Sequence, residues 1–342
     1  VRILIGTTGL LTAFIAMRIT RVQSTIKTQI AYASITQIGI IFMEISLGWH
    51  FVALIHFTGN AFLRTFQLLV SPSVVAYMIR DQFYNNPPKS KFQIRIFNQK
   101  WRNTFYLLSV KEWYLPEIMY RFIFKPLKNM GRKLDFLTTR NVFFILAPIY
   151  VGCVLLYQFH DQINPNLHKV LPEIFAAIGL MLVMKAFSER QHPRLALILI
   201  ILNHFWIALA VSFNENYNFS ENVIYLSGIL AAGITGYFCI RYLRMKEPHQ
   251  SDLEKYYGHV QEYPRVSFIF LVCAMALMGF PITPTFIGED LIFSHVHEDQ
   301  FVLSFLNSLS FILDGIALIK IYARLFLGPH VKTDHASPLK SS

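Results

Sequence analysis

Apolar residues in this chain gather in nine long runs, at about 2–20, 25–48, 50–79, 142–159, 170–187, 195–213, 222–243, 266–293 and 301–327. Each approaches or exceeds the roughly 20 residues that a helix needs to cross a bilayer core. The hydrocarbon interior offers no water to backbone amides, so each run must satisfy its own hydrogen bonds, which favours helices. The runs are too long and too uniformly apolar for barrel strands. The pattern predicts an all-α, polytopic transmembrane helix bundle of about nine spans. Between the third and fourth runs lies a basic, aromatic-rich interruption, opening on the turn-like Asn85-Asn86-Pro87-Pro88. Within it, residues 104–128 mix aromatic, aliphatic and basic side chains, as suits an amphipathic helix lying at the inner interface. A small cytoplasmic helical hairpin is the alternative. The expected organisation is a three-span part at 1–79, the basic segment at 80–140, four further spans at 141–245, a broken helix and final span at 246–330, and a tail at 331–342.

Composition agrees: 54% of the 342 residues are hydrophobic. The net charge of +11 could indicate nucleic acid, but its placement argues against that. Thirteen of the 31 Lys and Arg residues fall in 80–140, beside four acids. With an outside N-terminus and nine crossings, the inward loops and tail hold 25 basic residues, against two, Arg2 and Lys169, outside. This bias predicts an N-out, C-in integral membrane protein, expected in a bacterial inner membrane. Attraction to anionic lipid follows from the same charge. Cys153, Cys239 and Cys273 stand singly in apolar runs, so neither a disulfide frame nor a metal site is expected. An apolar run starts at Val1 without an initiating Met, and the chain is read as the C-terminal part of a longer protein.

Several spans carry polar cargo. In the third, His56, Asn60 and Arg64 recur every four residues and share one helix face. A charge at mid-bilayer costs about 2.5–3.5 kcal/mol on insertion scales, so Arg64 must face protein or water. Either it pairs with an acid on another helix and holds the bundle together, or the stripe lines a hydrated path. The second span starts near Lys27, which can snorkel to the interface, and carries Ser34, Thr36 and Gln37; Glu44 sits nearer its outer end, in a position open to an interfacial role. Lys185, His204, Asp314 and Lys320 are also embedded. Lys185 is close enough to the inner end to snorkel. His204 is open to reading as a bonded packing residue or a relay. Asp314 and Lys320, six apart, are expected to pair with other helices.

The eighth run is the most specific. Gly279, Pro281 and Pro284 interrupt it, and each proline removes a donor and disrupts the preceding turn. Carbonyls freed this way survive at membrane depth only against protein or water, which makes a broken helix a recurrent ion-site device. Glu289 and Asp290 follow directly. Two adjacent carboxylates cannot both ionise cheaply in an apolar setting, so one is expected to hold a proton and relay it. Alternatively, the break is a re-entrant turn and both acids face outside water.

Three blocks carry a resemblance. QSTIKTQIAYASITQIG at 23–39, HFTGNAFLRTFQLL at 56–69 and GFPITPTFIGED at 279–290 resemble, in order, segments of the antiporter-like membrane subunits shared by respiratory complex I and Mrp-type cation/proton antiporters. The resemblance covers about 1–79 and 265–330. It implies a proton channel in which Lys27, His56 and Glu289 occupy matching places. The chain departs from the family pattern at Thr25, Asn60 and Arg64, where Asp, His and Lys are usual. Arginine stays protonated, so Arg64 can tune neighbours but can hardly relay protons. The stretch 111–135 is weakly similar to an amphipathic segment of the largest such complex I subunit, and its placement suggests a divergent branch, such as the membrane subunit of inorganic-carbon accumulating systems. The leading expectation is a proton-conducting or cation/proton-exchanging subunit of a larger complex, partnered by membrane and soluble subunits, with no cofactor or redox site of its own. The path residues are Lys27, His56, Asn60, Arg64, Lys185, His204, Glu289 and Asp290. The alternative is a non-pumping scaffold that anchors a soluble partner.

Overall fold

A computed structural model describes residues 1–85, 99–159, 165–214, 219–248, 250–297 and 299–329. The chain divides into two compact units, Val1–Phe122 and Ile123–Ser342. The described residues form an all-α membrane helix bundle.

In the first unit, α1 (Arg2–Thr20), α2 (Ile26–Ser46) and α3 (His50–Asn85) follow one another through short turns. Thr25 caps α2, its hydroxyl accepting the Thr28 backbone N–H at 3.2 Å. Glycines let α1 and α2 touch: a Cβ on Gly39 would lie 2.7 Å from the Gly9 carbonyl oxygen. Such close approach supplies packing where lipid gives helices no hydrophobic reason to associate. After α3 come α4 (Gln99–Val110) and α5 (Leu115–Met119). Between them Glu112, Trp113 and Tyr114 take positive φ angles near +50°. This left-handed run stops the helix, so the amphipathic segment expected at 104–128 is helical only in pieces. Residues 86–98 and 330–342, which hold most of the expected turn and tail, lie outside the described residues.

The second unit holds α6 (Lys125–Arg132), a span from α7 (Thr139–Asn141) into α8 (Ala147–Gln158), then α9 (Pro165–Ser188), α10 (Pro193–Ser212), α11 (Phe219–Lys246), α12 (Pro264–Leu277), α13 (Pro284–Ser294) and α14 (Phe301–Phe326). Apolar almost all round, α10 is the buried centre and packs against α9, α11 and α14. Connections gather at opposite ends, as antiparallel crossings require. At one end Leu253 N–H donates to Arg190 O (2.6 Å) and Val260 N–H to Phe326 O (3.0 Å). At the other, the Asn214 amide donates to His295 O at 2.9 Å.

Six described helices are long and apolar enough to cross a membrane. The other three expected spans are helical too, but modified by their polar cargo. α2 is diluted by Gln29, Gln37 and Glu44, and α3 by His56, Asn60, Arg64 and Gln67. The eighth is split into α12 and α13.

Candidate functional site

In the first unit the polar stripes of α2 and α3 meet. Gln37 and Glu44 stand seven residues apart, two turns along one face of α2. His56 bridges them: Nδ1 lies 2.8 Å from Glu44 Oε1 and Nε2 lies 2.8 Å from Gln37 Oε1. With both ring nitrogens facing oxygens, two proton placements satisfy the geometry. Either an imidazolium donates to both, or a neutral ring donates to Gln37 while a protonated Glu44 donates to Nδ1. Glu44, read from sequence as open to an interfacial role, is thus the histidine's partner.

Further along α3, Arg64 donates to Asn60 Oδ1 (3.1 Å) and Gln67 Oε1 (2.6 Å). Its described bonds stay on its own helix, so an acid partner on another helix, one of the two alternatives for Arg64, is not found among the described residues. Lys27 is exposed in the first turn of α2. It stands ten residues, about 15 Å along the axis, from Gln37, and the structure does not bring it to His56.

The second unit has a polar seam inside its apolar core. Asn307, Ser310 and Asp314, at helical spacings of three and four, are fully buried on one face of α14. Opposite them, α10 presents Asn203 and His204, also fully buried. Ser310 Oγ donates to Asn203 Oδ1 at 2.8 Å, and Asn203 Nδ2 donates to Asp314 Oδ2 at 2.6 Å. His204 Nε2 is 3.5 Å from the same carboxylate oxygen, while its Nδ1 lies 2.6 Å from the Tyr225 hydroxyl on α11. His204 is therefore bonded through Nδ1, and its Nε2 faces the Asp314 carboxylate. Asp314, expected to pair across helices, does so.

The break is where sequence placed it. α12 ends at Leu277 and α13 starts at Pro284, which sits at the first helical position behind the Thr283 cap. Gly279 has φ +66°, and a Cβ there would collide with the Glu289 carboxyl. Glycine thus supplies both the turn and the space into which Glu289 folds back. Pro281 is exposed, and so is Ile282, a β-branched residue strained at φ +86°. Glu289 is half-buried and within electrostatic range of Asp314. Asp290, one residue and about 100° further round α13, is exposed. The two adjacent acids are therefore separated by direction. α13 packs on α11 through glycines: a Cβ on Gly228 would lie 2.8 Å from the Thr285 nitrogen, and one on Gly288 would lie 2.6 Å from Tyr225. Tyr225 thereby links the broken helix to His204.

Lys185 does not snorkel. It is buried and donates to Asp135 and Glu189, both at 2.7 Å. Just beyond α9, Glu189 also accepts the backbone N–H groups of Arg190, Gln191 and His192 at 3.0–3.2 Å. Burial opposes its charge, but the Lys185 ammonium and these amides hold its pKa at about 2, below the ordinary 4.5. A folded pKa below the unfolded value contributes stability that is present above 4.5 and lost as pH falls towards 2. The thermal midpoint is expected to drop across that window, and Glu189→Gln is expected to flatten the drop. Lys320 supports the same corner, donating to Phe187 O (2.9 Å) and Glu189 O (2.6 Å) at the end of α9.

Comparison with known proteins adds the following. The family described as NADH:quinone oxidoreductase/Mrp antiporter, TM, matches residues 1–86 and 202–313. NADH-quinone oxidoreductase subunit M of Rickettsia prowazekii is 28% identical over 86 residues, 25% of this chain and 18% of the relative. NADH-ubiquinone oxidoreductase chain 4 of Dictyostelium citrinum is 28% identical over 110 residues, 32% of this chain and 26% of the relative. Chain 5 of the corresponding oxidoreductase of Cryptococcus neoformans is 34% identical over 82 residues, 24% of this chain and 12% of the relative. The matched region thus spans about a quarter or less of these relatives' lengths. No solved structure matches significantly. The family match takes in the His56 cluster, Asn203, His204, Tyr225, the break and Glu289, and ends one residue before Asp314.

Proposed function

Because this chain belongs to the NADH:quinone oxidoreductase/Mrp antiporter family of membrane subunits, we propose that it conducts protons, or exchanges a cation for protons, as one membrane subunit of a larger energy-coupling complex. The partners in this reading are further membrane and soluble subunits, as the relatives' names describe for their own complexes. The N-terminus lies outside and the C-terminus inside on the strength of the basic loops, and the bacterial relatives favour a bacterial inner membrane. The antiporter-like parts are 1–79 and 246–330, joined by the basic segment 80–140 and the spans of 141–245.

The observation that carries the reading is Glu289, turned back at the helix break into the space left by Gly279 and towards the Asp314 seam. A carboxyl so placed can take a proton beside the break and exchange it with the buried chain Asp314–His204–Tyr225. In the tautomer in which the Tyr225 hydroxyl donates to Nδ1, the His204 Nε2 proton faces Asp314. Among the described residues the Asn307 amide, Thr285 Oγ1, His204 Nε2 and Asp314 Oδ1 are buried without a hydrogen-bond partner, and buried polar groups commonly bond ordered water. Titratable groups buried inside a membrane bundle mark a functional site by default, and this seam supports a proton route. The His56–Glu44–Gln37 cluster is a second station, and Lys27, Asn60, Arg64 and Lys185 act on the path through their charge or dipoles.

The test is proton flux through the assembled complex. Glu289→Gln is expected to lower it about fivefold, roughly 1 kcal/mol on the barrier, with assembly intact. Asp290→Asn, which alters only the exposed neighbour, is expected to leave it unchanged. Full flux in Glu289→Gln would remove the observation on which the reading rests and favour the non-pumping scaffold. The locally satisfied Arg64 is what that second reading has in its favour.

A further inference from the structure

The second unit carries a cluster of arginines that the proposed proton path does not use. At the end where residues 189–192 and 247–263 gather, an open cleft of about 550 Å³ lies between α6, the start of α7 and the α9–α10 connection. Arg132, Arg140 and Arg190 line it, all exposed. None of the three guanidiniums has a described side-chain partner. Two of the cleft's carboxylates, Asp135 and Glu189, are committed to Lys185; the third is Glu254. More cations stand close behind. Lys128 on α6 is half-buried, and burial together with the positive fields of Arg190, Arg132 and Arg324 lowers its pKa from the usual lysine value. Arg324 itself binds the Glu254 carbonyl at 3.0 Å. Cations from α6, the α9–α10 connection and α14 thus converge, and beyond the two carboxylates held by Lys185 the cleft offers them one, Glu254. Such convergence is unfavourable unless an anion joins it, and the planar guanidinium fork suits phosphate oxygens.

What adjoins the cleft identifies the kind of anion. A second groove, of about 340 Å³, meets it at Thr139, which lines both. This groove is apolar, walled by Phe143, Ile198, Ile201, Leu230, Ile234 and Phe238, and runs between the membrane helices α10 and α11. Gly233 keeps it open, since a Cβ there would lie 2.6 Å from Ile201 Cδ1. A basic mouth continuous with an apolar channel along membrane helices has the two-part chemistry of a phospholipid. A free phosphate would use only the mouth.

We propose that this paired cleft and groove bind one anionic phospholipid, its phosphate held by Arg132, Arg140 and Arg190 and an acyl chain laid along α10 and α11. The lipid would tie α6 and the residue 133–140 segment to the α9–α10 corner. This is independent of whether the bundle conducts protons.

The experiment uses the purified full chain in phosphatidylcholine bilayers, with and without phosphatidylglycerol, or with inorganic phosphate instead. Phosphatidylglycerol is expected to be retained on the protein and to raise its thermal midpoint. The double variant Arg140→Gln/Arg190→Gln is expected to weaken retention by about fivefold per arginine removed. Arg244→Gln/Lys246→Gln removes the same charge from exposed positions elsewhere and is expected to leave retention unchanged. Filling the groove with Ile234→Trp is expected to abolish retention while the headgroup residues remain. Equal stabilisation by inorganic phosphate, equal loss in the two double variants, or full retention in Ile234→Trp would each overturn the proposal.

Discussion

Asp314→Asn is expected to cut proton flux through the assembled complex by about a hundredfold, some 2.7 kcal/mol on the barrier, while the bundle folds and assembles normally. Asparagine has the same shape, and its carbonyl can still accept from the Asn203 amide, which now lies 2.6 Å from Asp314 Oδ2. What it cannot do is take a proton. Asp314 is fully buried and is the carboxyl that faces both His204 and the Asn203–Ser310 pair. In the proposed seam it is the carboxyl that meets the buried partners, whereas Glu289 is only half-buried. That difference is why the larger effect is assigned to Asp314. Asp314→Leu is the contrasting variant. It leaves the Asn203 amide donor without a partner, at about 1–3 kcal/mol, and is expected to lower stability as well as flux. If Asp314→Asn conducts normally and only Asp314→Leu is impaired, the seam serves packing and not conduction.

What could be read from the chain alone divides along a physical line. Features set within one helix were legible. The four-residue spacings put His56, Asn60 and Arg64 on one face. Gly279, Pro281 and Pro284 broke the eighth span because proline and glycine act on their own backbone. Features set by which helices become neighbours were not legible. Glu44 lies near an end of its span and was open to an interfacial reading, yet two turns from Gln37 it meets a histidine twelve residues on. The signal was its seven-residue spacing from Gln37. Glu289 and Asp290 looked equivalent in sequence, but adjacent helical residues point about 100° apart, so one turns inward and the other outward. His204 and Asp314 are 110 residues apart, and nothing local announces their pairing. The amphipathic stretch read over 104–128 failed as one helix because three consecutive residues there adopt left-handed angles, which no side-chain pattern signals.

Lys185 sets the second large effect, on stability. Lys185→Met is expected to destabilise the second unit by about 3 kcal/mol, the usual cost of leaving a buried charge without its partner. Glu189 is only 8% exposed at its side chain, and its Oε2 would lose the ammonium at 2.7 Å. The backbone amides of residues 190–192 would still hold Oε1, which keeps the cost at the lower end of the range. Asp135 is 68% exposed and can turn to water, so it adds little. Lys185→Met/Glu189→Gln tests the cause. With both charges gone, a glutamine amide can keep the backbone contacts, and the double variant is expected to recover most of the stability, since neutral replacements of buried ion pairs are often tolerated. Denaturation midpoints of the two variants in the same lipid decide the matter, and flux measured on the double variant then separates structure from conduction. Near-normal flux there would place Lys185 with Lys320 as a brace at the end of α9 and take it off the proton path. Lost flux in a stable double variant would make its charge part of that path.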